Sequence, residues 1–197
     1  IAGIGVSGPQ IVEGWYGQPW GKPYWRIKDY VAIMRQIFAR EAPVSYQGRE
    51  ISLPYQGEGA TGLGKPLKSI LHMNPNIPIF LGTGNEATVK LTAEIADGWL
   101  PLGFVPGSLP EYMPWLEEGF RRAGNGKGMK DFEIHAYAHV EVSDDVKAAL
   151  DRLKPEVALY VGGMGAREKN FHKEMLIRRG FKDAAERIQE LYLAGRK

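Results

Sequence analysis

A chain of 197 residues with 44% hydrophobic and 24% charged side chains can bury a substantial core, which excludes a disordered polypeptide. Its 25 basic and 23 acidic residues leave a net charge of +2, too balanced for a nucleic-acid footprint, and the lack of cysteine excludes disulfides, thiolate metal sites and thiol nucleophiles. No apolar run approaches the roughly 20 residues of a membrane-spanning helix, so a soluble, cytoplasmic protein with neither membrane nor nucleic-acid partner is expected.

The chain opens on Ile1-Ala2-Gly3-Ile4-Gly5-Val6, an apolar run ended by Ser7-Gly8-Pro9, as where a buried strand enters a loop. It starts inside this strand and without methionine, so a preceding segment is expected. From Tyr24 to Ala39 the residues Ile27, Tyr30, Val31, Met34, Ile37 and Phe38 recur every three or four positions, the period of an amphipathic helix, and Pro23 suits its first turn. Residues 43–76 read as a long irregular insertion. A small hairpin is expected around Gln47-Gly48, followed by a stretch rich in glycine, proline and lysine; loops of this length are commonly lids or binding loops.

Ile77 to Leu81 gives a second buried strand, Glu86 to Ala96 a helix closed by Asp97-Gly98, and Trp99 to Leu102 a third strand. Residues 110–123 form another helix. Phe132 to Val142 alternates as a fourth strand, and Ser143 followed by Asp144 and Asp145 reads as a helix N-cap with acidic first-turn positions. Beyond Pro155 the chain reads as helical, apart from a break at Gly162-Gly163-Met164-Gly165. Strand followed by helix, repeated, implies a parallel sheet with right-handed crossovers, doubly wound or closed into a barrel. Four strands supply half of an eight-stranded barrel.

Gly82-Thr83-Gly84-Asn85 lies between a strand and a helix N-terminus, where backbone N–H groups and the helix dipole favour a phosphate; the same glycines also suit a plain turn. It matches neither the Rossmann glycine pattern nor a P-loop. Gly3-Ile4-Gly5-Val6-Ser7-Gly8 is a second glycine-rich strand exit, and in a barrel both would open on the face where active sites sit. Trp15, Tyr16, Trp20, Tyr24 and Trp25 interleave with turn residues, which suits either stacking on a planar ligand or packing over the core. Trp15 and Tyr16, with Lys65 and Lys68 of the insertion, are candidate substrate or lid residues, and His72 lies near the two lysines. Arg178, Arg179 and Lys182 read as a solvated helix face. His135 and His139, expected on one face of a strand, are assigned to packing or hydrogen bonding, since a metal site would need further ligands.

Several stretches together resemble the luciferase-like monooxygenase superfamily, and within it the coenzyme F420-dependent oxidoreductases. They are Gly3 to Gln10 with Val12-Glu13-Gly14-Trp15-Tyr16-Gly17; Gly62-Leu63-Gly64-Lys65-Pro66-Leu67-Lys68; Ile77 to Gly82; and Ala93-Glu94-Ile95-Ala96-Asp97-Gly98-Trp99-Leu100-Pro101. Gly162 to Gly165 with Lys169-Asn170-Phe171 completes the set. The resemblance implies an α/β fold, a (β/α)8 TIM barrel of bacterial-luciferase-like type present in part, running as one domain from the fourth strand past the seventh. It implies that Gly82, Thr83, Gly84 and Asn85 hold the phosphate of the cofactor tail and that Val6, Ser7, Gly8 and Pro9 lie beside the cofactor.

The implied activity is hydride transfer between coenzyme F420 and a small organic substrate, in a homodimer. Where some members carry an acid at the fourth-strand exit, this chain has Ser7 and Gly8. Glu13 is the nearest carboxylate and the candidate catalytic residue. An FMN-dependent monooxygenase and a non-catalytic flavin-binding barrel are the alternatives.

Overall fold

The computed structural model describes residues 1–105 and 107–196. In chain order its elements are β1 (Ala2–Gly5), α1 (Pro9–Val12), α2 (Pro23–Ala39), β2 (Tyr46–Gln47), β3 (Ser52–Leu53), β4 (Ile79–Thr83), α3 (Glu86–Ile95), β5 (Gly98–Pro101), α4 (Leu109–Ala123), β6 (Glu133–Ile134), α5 (Val146–Ala158), α6 (Phe171–Arg178) and α7 (Lys182–Leu193). A π-helical turn, Leu159–Gly163, continues α5. They form two compact units: Ile1–Ser7 with Trp20–His135, and Gly8–Pro19 with the chain from Ala136 onward.

The first unit is built on a four-stranded parallel sheet in the order β1-β4-β5-β6. Strand alternation sends Ile79 and Leu81 of β4 toward Ile27, Val31 and Phe38 of α2 and Leu91 of α3, with Ile4 and Val6 against the same cluster. Trp99 of β5 joins Val89 and Ala93 of α3, Tyr112, Leu116 and Phe120 of α4, and Phe132 in a second cluster. Helices α3 and α4 approach closely at Gly119, where any Cβ would collide with the Lys90 carbonyl.

Asp97 ties the start of the sheet together. Its carboxylate accepts the Ile79 N–H at 2.7 Å and the Arg35 guanidinium of α2, while Arg35 also donates to the Ile77 carbonyl at 3.2 Å. Its own N–H donates to Ile79 and its carbonyl accepts from Glu133, so a single residue joins β4, β5, β6 and α2. Lys127 closes the far end of α3, donating to the carbonyls of Ala93 (2.7 Å) and Ala96 with its ammonium 5.1 Å from the Phe132 ring centroid.

The opposite sheet face carries two rows set by the strand register. Gly3, Phe80, Gly98 and Glu133 form one, and Gly5, Gly82 and Leu100 the other, which His135 extends as the residue after β6. The Phe80 ring lies across Gly98, where a Cβ would stand 2.5 Å from ring carbons, and meets the His135 ring edge-on at 4.8 Å.

Hairpin β2–β3, expected around Gln47-Gly48, turns through residues 48–51 and is fastened to α2 by buried Asp29. That carboxylate accepts from the Tyr46 hydroxyl (3.0 Å) and from the N–H groups of Glu50 (2.7 Å) and Ile51 (3.0 Å). Burial and this carboxylate push the Tyr46 phenol pKa up.

In the second unit Asn170 is nearly fully buried and joins two segments. Its amide nitrogen donates to the carbonyls of Tyr160 and Val161, both at 3.0 Å, and its oxygen caps α6 through the N–H groups of His172 (2.9 Å) and Lys173 (3.0 Å). Gly162 and Gly163 leave the space that the Tyr192 side chain of α7 fills, and Gly165 packs against Asn170.

Four sequence expectations change. Strand β4 starts and ends two residues later than Ile77 to Leu81. The strand expected over 132–142 is paired only at Glu133–Ile134; Tyr137, Val140 and Val142 are exposed, so alternation there reflects no ladder. The cap of α5 is Asp145, whose carboxylate accepts the Ala148 N–H at 2.9 Å, whereas the Ser143 hydroxyl bonds only within its own turn. Tyr30, read as part of the apolar face of α2, is exposed.

Gly98→Ala should destabilise the protein by about 1–3 kcal/mol, the usual range for overpacking, with partial recovery in Gly98→Ala/Phe80→Leu, measured by urea unfolding. Equal midpoints for parent and Gly98→Ala would show that the Phe80 ring swings aside freely. Burial beside the Tyr160 ring lowers the His172 pKa, so the fold favours the neutral imidazole; its contribution is complete above the unfolded value near 6.5 and is lost as pH falls below it. Stability should therefore fall on acidification below about pH 6.5 more steeply in the parent than in His172→Phe, a difference that paired thermal melts from pH 5 to 8 would read.

Candidate functional site

The C-terminal edge of the parallel sheet in the first unit is where a ligand would meet backbone rather than side chains. Gly5 of β1 lies opposite Gly82 of β4, and Gly82 opposite Leu100 of β5. The first two positions of this row are thus bare, leaving a floor on which a flat group could approach main chain. Ser7, just past β1, takes a left-handed backbone (φ 62°), a conformation uncommon for a residue with a Cβ. Pairing ends at Gly5 with Gly82, so Val6-Ser7 and Thr83-Gly84 follow from two adjacent strands at the same edge of the sheet. Val6 turns its side chain into the core.

Within Gly82-Thr83-Gly84-Asn85 the roles divide. The Thr83 hydroxyl is buried against the Thr92 hydroxyl at 2.8 Å, and the Thr83 carbonyl accepts the Trp99 indole N–H at 3.0 Å. Thr83 therefore anchors β4 to α3 and β5 and offers no side-chain atom to a ligand. Asn85 caps α3: its side-chain oxygen accepts the Thr88 N–H at 3.0 Å, and the Thr88 hydroxyl donates back to the Asn85 carbonyl at 3.1 Å. Helix geometry leaves the N–H groups of Glu86 and Ala87 without an acceptor in the helix. Glu86 would repel an anion there, but it pairs with Lys90 one turn on. At Gly84 a Cβ would meet only Leu102, at 3.6 Å, so that position has room.

The other candidates lie elsewhere. Gly8, in extended backbone, precedes α1, and Pro9 is its first residue, both in the second unit. There too are Glu13, whose N–H donates to the Pro9 carbonyl at 2.9 Å, and the exposed rings of Trp15 and Tyr16. Lys65 and Lys68 are exposed on the irregular chain between β3 and β4, on either side of Leu67, which bridges to Val44 ahead of the hairpin. His72 is paired at Nδ1 with the Arg40 guanidinium at 2.8 Å. His135 and His139 do not share a strand: His139 lies in the second unit near Glu141 (3.8 Å), whereas His135 closes the inner row of the sheet. Among the described residues no three His, Asp or Glu side chains gather as a metal site, and no helix is long and apolar enough to cross a membrane.

Sequence reasoning missed Gly5 as the partner of Gly82, although the alternation of Gly3 and Gly5 with Ile4 contained the signal. It also assigned Asp97 to closing a helix, where the residue organises the sheet.

Strands and helices alternating on a parallel sheet, glycine-lined at its C-terminal edge, define part of a (β/α)8 barrel. The sequence profile of the luciferase-like monooxygenase family matches residues 1–197, and the chain belongs to that family. It is 49% identical, over its whole length, to a Mycobacterium tuberculosis protein named as a candidate coenzyme F420-dependent oxidoreductase, of which it covers 57%. It is 30% identical to the 5,10-methylenetetrahydromethanopterin reductase of Archaeoglobus fulgidus, with 83% of this chain and 44% of that protein aligned. The chain thus spans about half the length of the curated relatives it matches.

Among solved structures, the coenzyme F420-dependent tetrahydromethanopterin reductase of Methanopyrus kandleri superposes with a TM-score of 0.64 at 20% identity, covering 95% of this chain and 57% of that one. An F420-dependent secondary alcohol dehydrogenase, in complex with an F420-acetone adduct, superposes at 0.61 and 18% identity, covering 93% and 53%. These two likenesses show the fold.

Asn85→Ala should lower stability by about 1 kcal/mol, the usual worth of an N-cap, and thermal melting reads it directly. Unchanged melting would mean that the Thr88 hydroxyl alone holds the first turn of α3.

Proposed function

We propose that the protein carrying this chain is an oxidoreductase that transfers hydride between coenzyme F420 and a small organic substrate. The observation that carries the reading is the bare Gly5–Gly82 floor beside the capped N-terminus of α3, at one edge of a parallel sheet. The names of the relatives give the cofactor, and the donor set fits its two chemical ends. A flat ring needs close backbone approach, which adjacent glycines allow. A phosphate in the tail needs N–H donors and a positive dipole end, which the first turn of α3, at Glu86 and Ala87, supplies.

In this reading Val6, Ser7, Gly8 and Pro9 lie along the cofactor, and Gly82, Thr83, Gly84 and Asn85 receive the phosphate, Thr83 through backbone only. The left-handed turn at Ser7 fixes the course of the chain where it leaves the floor. Trp15, Tyr16, Lys65 and Lys68 belong to the substrate side or its lid, and Glu13 is the candidate carboxylate. The deazaflavin supplies the hydride chemistry when bound, and the protein supplies orientation and exclusion of water. A homodimer in the cytoplasm completes the proposal, carried by the family resemblance.

Titrating oxidised coenzyme F420, and separately FMN, into the protein while following fluorescence tests the cofactor. Micromolar binding of the deazaflavin, weakened at least tenfold by Gly84→Asp, is expected: the position has room for a side chain, and a carboxylate there opposes a phosphate. Preferential FMN binding would replace the proposal with the flavin monooxygenase alternative. Binding of neither would overturn it.

A further inference from the structure

The two inner rows of the sheet are almost without polar side chains. In register they read Gly3, Phe80, Gly98, Glu133 and Gly5, Gly82, Leu100, His135, so the ionisable groups on this face are confined to its β6 end. There the His135 Nε2–H donates to the Glu133 carboxylate at 3.0 Å, the only donor assignment a carboxylate partner allows. The edge-on contact with Phe80 bounds the ring from a second side, and the His135 backbone N–H, which donates to the Trp99 carbonyl at 3.0 Å, holds the chain beneath it. Phe80 is itself held because Gly98 leaves the space its ring fills. A histidine kept in one tautomer by a carboxylate has its Nδ1 left for a ligand, and such backing raises its strength as a hydrogen-bonding group.

Resting on the reading above, we propose that His135 is a binding residue of this site, its Nδ1 accepting a hydrogen bond from a ring N–H or hydroxyl of the cofactor laid over the Gly5–Gly82 floor, with Glu133 as its positioning residue. The row that supplies the floor ends on this imidazole, one strand beyond Leu100. Half of the His135 side chain is solvent-accessible, so the group is within reach of a ligand.

The test uses the protein with uniformly 15N-labelled histidine and oxidised coenzyme F420 as the probe. Imidazole resonances are assigned with His72→Gln, His135→Gln, His139→Gln and His172→Gln. The expected result is that the His135 signals move with the midpoint seen by cofactor fluorescence, while those of His72 stay in place. His135→Phe should weaken binding about tenfold and Glu133→Gln by a smaller factor, with circular dichroism unchanged. Full cofactor binding with His135 signals unmoved would overturn the assignment alone, and remains decisive if His135→Phe fails to fold. Failure of the parent protein to bind F420 would remove the cofactor reading and this inference together.

Discussion

The arrangement depends on a carboxylate at the start of β5. Asp97 receives the Ile79 N–H and the Arg35 guanidinium and uses its own backbone for β4 and β6, so the position of each central strand is set against the same residue. Parallel strands are joined by long crossovers and gain no register from a tight turn, so an external reference of this kind is what they lack. The two residues that follow extend the same control. Gly98 admits the Phe80 ring, and Trp99 fills the helix side while its indole holds the Thr83 carbonyl. The Asp97-Gly98-Trp99 run is therefore a register device that spans both faces of the sheet.

From that register the candidate site follows. Two glycines fall side by side only because β1 and β4 are locked with Gly5 opposite Gly82. A slip of one residue would put Ile4 or Leu81 on the floor and turn the glycines to the core. The packing that secures Ile79 and Leu81 against α2 and α3 thus also keeps the opposite face clear. Stability and ligand access here are two sides of a single alternation.

Much of this was legible in the residues. The helical period from Tyr24 to Ala39, the proline opening it and the short apolar runs placed α2, β1, β4 and β5 to within a residue or two, since each is fixed by local sequence and burial together. What escaped was set by distant partners. Asp29 sits inside an apolar helix period, and nothing nearby announces that Tyr46, Glu50 and Ile51 satisfy it. Alternation from Phe132 to Val142 suggested a long strand, yet a ladder needs a neighbour, and pairing ends after Ile134. The candidate site was readable as glycine-rich strand exits, and alternation alone puts Gly3 and Gly5 on one face and Glu133 and His135 on one face, but that Gly82 stands opposite Gly5 depends on register between strands, which sequence spacing does not fix.

The anchoring of the hairpin has a consequence for the chain beyond it. Asp29 fastens the root of the segment to α2, and the bridge between Val44 and Leu67 brings its two ends together, so the intervening chain is already a closed loop before any ligand arrives. The entropy of drawing those ends together has been spent during folding. Lys65 and Lys68 flank Leu67 at that junction, so the two lysines are carried by the clipped base of the loop, and a ligand reaching them meets chain whose ends are already held in place.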